Sequence, residues 1–405
     1  MKTQFGHITY CTNIHPGESW AHHFVELKTH LPILKKELSP KEPMGIGLRL
    51  SNEASLALAK ENNLIEFQNW LEEESFYVIA INGFPYGGFH EEAVKEDVYR
   101  PDWVTKERFE YTNRLFSLLK VLLPEKGEGG VSTPPLSYSF FDTEEKERFL
   151  RKANCTEQII QTLINLIRIQ REEGKTLHLD IEPEPDGLLG TFSDWMRWYE
   201  WDLIPKALPV LIQEFGFDPK TAEENIKQHI RLCLDVCHLA VTYETNSFLF
   251  SELKRLGIKV GRIQVSSALK LKFQEPIQEY IHALKPFDEK KYLHQVVSCT
   301  KEGETKSYRD LGDALAAGAS FGEEWRIHFH VPIFLETYGK FFSTQEELKM
   351  VLSEHKKNRI TQILEIETYT WNVLPESLQM PIGKSILREL LWLKTFLESN
   401  LNELI

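Results

Sequence analysis

Four side chains in this sequence stand where acceptor atoms could gather around a cation: Glu182, Asp235, Gln264 and Glu367. Each lies at or near the end of a short alternating run, namely Thr176 to Glu182, Ile230 to Val236, Lys259 to Ser266 and Ile360 to Glu367. In an extended chain alternate side chains share a face, so each of the four can point inward from the end of its own strand. Carboxylates gathered in this way repel one another unless a cation lies between them. Oxygen donors suit Mg2+ or Mn2+, and imidazole shifts the preference toward Mn2+, Fe2+, Co2+ or Zn2+. The expected ligands are therefore Glu182, Asp235, Gln264 and Glu367, and the expected cofactor is a divalent ion (Mn2+, Mg2+ or Zn2+). The plainer alternative for any one of these runs is a strand end with solvated acids.

Other polar residues fall near the same strand ends. Asp235 and His238 form a D-x-x-H spacing, which is common by chance, and a lone histidine there is more often a core or loop residue. Asn13, His15, Asn82 and, further out, His90 follow the first and third strands, where they either cap turns or contact a substrate. Glu184 lies beyond Pro183 on the rim. His328 and His330 share a face of an extended run, and the placement of that run tilts His330 toward the site. Asp180 and Glu365 have inward parity but lie deeper, which suits supporting hydrogen bonds. His22 and His23 are expected to be solvated, and Arg309-Asp310 to form a surface ion pair. Gly87-Gly88 lacks the spacing of a phosphate loop, and no G-x-S-x-G elbow occurs.

These residues need a scaffold that brings strand ends together. Extended runs at Gly6–Thr12, Met44–Leu50, Ser75–Ile81 and Gly130–Thr133 precede the four already given, and helical patterns fall between them. Strands alternating with helices predict parallel βα units, and a count of eight predicts a closed (β/α)8 barrel. The helix from Trp20 is expected to bend or break at Pro32, and the helical span Thr143–Glu173 to break near Asn154. The span Phe192–Phe215 is expected to bend or divide at Pro205 and Pro209. Between strand seven and the helix Thr344–His355, the stretch 269–342 is too long for an ordinary loop. It holds a predicted helix (Pro276–Leu284) and two extended runs (Tyr292–Ser298 and Arg326–Phe334). As an insertion following a strand, it is expected on the C-terminal face, where such barrels carry their active sites. With no clear linker, residues 1–405 read as a single domain.

Composition narrows the function. The 405 residues are 42% hydrophobic and carry a formal net charge of −13, spread along the chain. With no basic block to attract a polyanion, nucleic acid is not an expected partner. The five cysteines, Cys11, Cys155, Cys233, Cys237 and Cys299, are odd in number and lack zinc-knuckle spacing, so reduced buried thiols are expected. No apolar run approaches a membrane span, and the N-terminus lacks a signal-peptide core. A cytoplasmic location is the expectation.

The acid after strand five, the D-x-x-H at strand six, a polar residue on strand seven and a Glu ending strand eight resemble the xylose isomerase-like TIM-barrel superfamily. That group includes sugar isomerases, ketose epimerases and endonuclease IV-type enzymes. The resemblance implies metal ligation by Glu182, Asp235 and Glu367, with His238 contacting substrate; the strand-seven ligand is usually His, and here it is Gln264. Longer blocks, Ile8–Trp20, Asn82–His90, Asp180–Gly187 and Asp235–His238, are similar to the metabolite traffic protein EboE family. This similarity implies a bacterial gene cluster that also encodes a prenyltransferase-like membrane protein, a potential partner, and that moves secondary-metabolite precursors toward the periplasm.

Three readings follow. The leading one is a divalent-metal isomerase or epimerase acting on a hydroxy-carbonyl metabolite, with Glu182 or Glu367 moving a proton and His238 holding the substrate. Asn13, His15, Asn82, His90, Glu184 and His330 would be its substrate-binding residues. The second is a non-catalytic protein that hands a metabolite to a membrane partner from an aromatic pocket lined by Phe84, Tyr86, Phe89, Trp325 and Phe329. The third is an endonuclease IV-like phosphodiesterase, which the acidic charge and the small number of candidate ligands disfavour.

Overall fold

In the computed structural model, which describes residues 1–88, 94–125, 127–273, 277–318, 322–372, 374 and 379–399, eight parallel strands form the frame. They are β1 (Gly6–Tyr10), β2 (Met44–Arg49), β3 (Phe76–Asn82), β4 (Glu128–Thr133), β5 (Thr176–Ile181), β6 (Ile230–Asp235), β7 (Val260–Val265) and β8 (Ile363–Ile366). Their spatial order is β1-β8-β7-β6-β5-β4-β3-β2, with the Lys2–Thr3 arm folded back antiparallel on β1. The ends of that order meet, because Cys11 bridges Gly47 in parallel and closes the ring. Side chains complete this seam. The Thr9 hydroxyl donates to the Gly45 carbonyl at 3.0 Å and accepts the Gly47 N–H at 3.1 Å, and the Thr12 hydroxyl accepts the Arg49 N–H at 2.8 Å. The fold is thus an α/β eight-stranded TIM-type barrel, and β2, β6 and β7 are buried along their whole length, as expected of parallel strands covered on both faces.

Several predicted breaks are absent. The helix Trp20–Leu38 runs unbroken through Pro32; Lys28 is exposed, so the carbonyl that the proline leaves without a donor can turn to water. The helix Glu145–Glu173 passes Asn154, whose side chain faces solvent, and ends at Gly174 in the left-handed conformation (φ 70°). The span Phe192–Phe215 divides at a π-helical turn, Tyr199–Leu203, just ahead of Pro205, and continues as a helix past Pro209. β4 begins at Glu128, earlier than expected, and β8 stops at Ile366, which puts Glu367 just past the strand.

The lower barrel holds a polar layer where an apolar one would be usual. Arg262, fully buried, donates Nε to Asp180 Oδ2 (3.1 Å), Nη1 to Glu365 Oε2 (2.8 Å) and Nη2 to the Gly130 carbonyl (2.6 Å). Glycines on three strands, one of them Arg262's own neighbour Gly261, clear the space. A Cβ on Gly261 would lie 1.8 Å from Asp180 Oδ1, one on Gly47 2.0 Å from Glu365 Oε1, and one on Gly130 2.4 Å from Asp180 Oδ2. Asp180 and Glu365 take the deeper supporting positions that their parity indicates.

The insertion builds a second, antiparallel sheet of six strands, where only two extended runs were expected. Its order is Thr305–Tyr308, Val296–Cys299, Glu324–His330, Ala268–Lys272, Phe341–Ser343 and Thr337–Tyr338. Most of these strands span two to five residues, too few to display a period. The register slips between Ile327 and His330 against Ala268–Lys272, a bulge that reorients the end of the strand. Trp325, Ile327 and Phe329 pack into the same apolar core as the barrel strands. Among the described residues no helix is long and apolar enough to cross a membrane.

The last helix, Ile382–Glu398, locks the insertion to the barrel through Glu389, whose buried carboxylate accepts the Ile333 N–H (3.1 Å) and the Thr368 hydroxyl (2.8 Å). Burial raises its pKa to about 8, against the pull of those two bonds. The unfolded carboxyl releases its proton near its ordinary value of 4.5 and the folded one near 8, so the folded state binds more protons in this window and loses stability as pH rises. Glu389→Gln should flatten that part of the slope. Urea unfolding of both proteins between pH values of about 5 and 8 measures it, and parallel slopes would refute it.

Candidate metal centre

At the C-terminal end of the barrel, Glu182, Asp235 and Glu367 each place a carboxylate oxygen within 4.8 Å of the others, and all three are buried. Burial first, then Glu367, Asp235 and Glu184, push the Glu182 carboxyl well above its usual range. Burial, Asp235 and Glu365 do the same to Glu367. Glu367 Oε1 accepts from Asn13 Nδ2 (2.7 Å) and Asn82 Nδ2 (3.2 Å), so these two amides orient a carboxylate where turn caps were the plainer expectation. Asp235 Oδ1 accepts the His238 N–H (3.1 Å) and the Ser266 hydroxyl (2.7 Å). Its Oδ2 is buried with no partner among the described residues.

Gln264 does not hold the place expected of it. Its carbonyl Oε1 accepts the Cys233 thiol at 3.0 Å, and its Nε2 donates to Glu367 Oε2. Toward the acids it presents N–H groups, not a lone pair, so it positions Glu367 and is not a ligand in this arrangement. The neighbouring thiol on β6 takes the oxygen that ligation would need.

Imidazole enters instead from the insertion. His330 donates Nδ1–H to the Glu367 carbonyl (2.5 Å), leaving a lone pair on Nε2, which is buried without a partner and lies 3.9 Å from the equally unpartnered Asp235 Oδ2. His238 donates Nδ1–H to the Pro183 carbonyl (2.9 Å). His328 Nδ1 bonds Gln295 Oε1 (2.6 Å), and Gln295 Nε2 bonds the Pro185 carbonyl (2.9 Å), which fixes that amide and makes His328 Nδ1 the donor. Both remaining Nε2 atoms then carry lone pairs and face each other at 3.0 Å. Two such lone pairs repel unless a cation, a proton or a metal ion, lies between them. Burial, followed by His238, His330 and His294, holds His328 well below its ordinary pKa. Donation of one ring nitrogen to a carbonyl, with the other left bare, is the arrangement metal-bound histidines adopt.

Above this floor opens a cavity. Asn13, Asn82, Glu182, Glu184, Asp235, His238, His328, His330 and Glu367 line its polar part, and Phe84, Pro85, Val98, Leu293, Tyr292 and Tyr369 its walls. Glu184 is buried and not on a solvated rim; burial lifts its pKa to about 7, against the pull of His238 and a bond from the Tyr99 hydroxyl. His15 is not brought to the cavity: its Nε2 bonds the Tyr10 hydroxyl (2.8 Å) and its ring stacks on His30 at 4.5 Å. His23, expected in solvent, is buried against the Thr12 hydroxyl. Arg309 lies over the Phe140 ring, while Asp310 pairs with Lys95. Trp325 and Phe329 are wholly buried and line no part of the cavity, and Tyr86 packs against the core. His90 and Phe89 lie outside the described residues.

Arg262 was not among the expected residues, although it shares inward parity with Gln264, and of the two insertion histidines only His330 was expected at the site. Gln295 and Tyr369 carried no sequence signal at all.

No family model matches the chain, and no curated protein matches it. Solved structures do. The IolI protein with a bound zinc atom aligns at 12% identity over 96% of this chain and 97% of that one, with a TM-score of 0.46. The probable 3-DHS dehydratase AsbF from Bacillus anthracis aligns at 11% identity over 97% and 100%, with a TM-score of 0.45. A xylose isomerase-like TIM barrel protein from Mycobacterium smegmatis, in complex with magnesium, aligns at 10% identity over 97% and 98%, with a TM-score of 0.45.

Proposed function

We propose that the protein is a divalent-metal enzyme that moves a proton between adjacent carbons of a hydroxy-carbonyl metabolite, as an isomerase or epimerase does. The observation that carries this reading is the convergence of acceptors: three carboxylates and three imidazole lone pairs aimed into one cavity, with Asp235 Oδ2 and His330 Nε2 buried and unpartnered. Glu182, Asp235 and Glu367 would hold the ion, and His330, which groups with Asp235 and His238, offers a nitrogen donor on the Asp235 side. A divalent ion, when bound there, polarises neighbouring substrate oxygens and acidifies the adjoining C–H. Glu182 is the base best suited to that proton: no amide holds its carboxylate among the described residues, and the weak Cys233 thiol lies 3.7 Å away, whereas Glu367 is held by three amides. The His238 ring stands 3.6 Å from Glu182, its Nδ1–H held by the Pro183 carbonyl, and orients the substrate. The EboE-like blocks support a secondary-metabolite precursor as the molecule handled.

The test begins with metal content. Protein purified without added metal should hold about one divalent ion per chain by ICP-MS, and Glu367→Ala should lose most of it. An empty protein, or an unchanged variant, would remove the basis of the proposal. The apolar cavity walls favour a second reading, a carrier that binds its metabolite without turnover. Incorporation of solvent deuterium at the carbinol carbon, followed by NMR, separates the two: the enzyme washes it in and the carrier does not.

A further inference from the structure

We infer that the substrate is an uncharged compound whose adjacent oxygens sit on an otherwise apolar skeleton, and not a free sugar or a phosphate ester. This rests on the metal-centre reading, since the ion fixes which part of the molecule lies on the floor.

The cavity has two unlike halves. Its floor consists of carboxylates and imidazoles, and its walls are Phe84, Pro85, Val98 and Leu293 with the rings of Tyr292 and Tyr369. Those two tyrosine rings meet edge to face at 5.2 Å, and the Tyr369 ring lies 4.7 Å from that of His330, so the wall descends to the floor as a continuous aromatic surface. Phe84 belongs with Tyr99 and Tyr138 to an apolar cluster distinct from the barrel core, against which Val98, Phe141 and Leu293 pack. This cluster joins the loop after β3, the loop after β4 and the insertion around the cavity mouth. A sugar seated by two oxygens would press those of its remaining hydroxyls that reach Phe84, Pro85, Val98 and Leu293 against carbon, where they lose water.

Charge excludes the phosphate ester. Lys95 is the one lysine or arginine lining the cavity among the described residues, and it is paired with Asp310. Four acids, Glu182, Glu184, Asp235 and Glu367, line the same space and give a phosphate no cationic partner. An alkyl or aryl body avoids both penalties and removes apolar wall from water.

The experiment uses the full chain loaded with Mn2+, its ion content read first by ICP-MS, and three probes titrated by calorimetry: butyroin, D-fructose and dihydroxyacetone phosphate. Butyroin, an acyloin with two propyl arms, should bind at least about tenfold more tightly than either other probe. Leu293→Asn and, separately, Phe84→Asn should narrow that ratio without lowering the ion content; two variants guard against one failing to fold. Ion present with fructose or the phosphate bound as tightly as butyroin, or with no probe bound, overturns the inference and leaves the metal centre standing. Absence of the ion overturns both.

Discussion

Replacing Arg262 with Met should destabilise the protein by about 3–5 kcal/mol, a large part of the roughly 5–15 kcal/mol that holds an ordinary domain folded. Arg262 is fully buried, and its guanidinium stands between Asp180 and Glu365, themselves fully buried, while bonding the Gly130 and Ile81 carbonyls. Burial alone would raise the Asp180 carboxyl; His178 with its hydrogen bond, then Arg262 and Arg231, more than offset this and hold it below the usual range. Without the arginine, Glu365 would lose its counter-charge and Asp180 would keep only His178 beside it, in a space that Gly47, Gly130 and Gly261 keep open for polar groups. The loss should be read by urea unfolding followed through tryptophan fluorescence. A triple variant, Arg262→Met with Asp180→Asn and Glu365→Gln, should recover much of it, because removing every charge of a buried set costs less than removing one. A single variant as stable as the parent would show that the layer is solvated and the argument mistaken.

The second large effect has opposite signs with and without metal. Glu182→Gln should stabilise the metal-free protein by about 1–2 kcal/mol, since it removes a buried acid crowded by Glu367, Asp235 and Glu184. The parent should gain about 2.7 kcal/mol from a divalent ion at a hundred times its dissociation constant, and the variant should gain almost none. Calorimetric melting in EDTA and in Mn2+ reads both numbers. The order of stability should therefore reverse between the two buffers. Equal melting curves for the two proteins in both would count against a functional role for the cluster.

Much of this architecture was legible in the chain. Period-two runs ending in acids placed the strands, and the inward parity of Glu182, Asp235 and Glu367 indicated their convergence. What was hidden had specific physical causes. The Gln264 carbonyl oxygen turns to the Cys233 thiol, a contact between strands that no one-strand pattern can show. The second sheet was missed because its strands are short, so the reason His328 and His330 reach the barrel lay in pairing and in a bulge, outside any local periodicity. His15 follows a strand end yet turns toward His30, because the Thr12–Ile14 3-10 turn leads it away from the axis. The predicted helix breaks failed where solvent could serve the freed carbonyl or the polar side chain.

One consequence of the β1–β2 closure is mechanical. Elsewhere around the ring adjacent strands are joined by rigid backbone ladders, but here the Gly47 and Arg49 amides rest on the hydroxyls of Thr9 and Thr12, which can rotate. The hoop therefore has a compliant clasp, and Asn13, which helps hold Glu367, is the residue immediately after Thr12. The one seam that side chains complete is thus joined, through the next residue along the chain, to the carboxylate of Glu367.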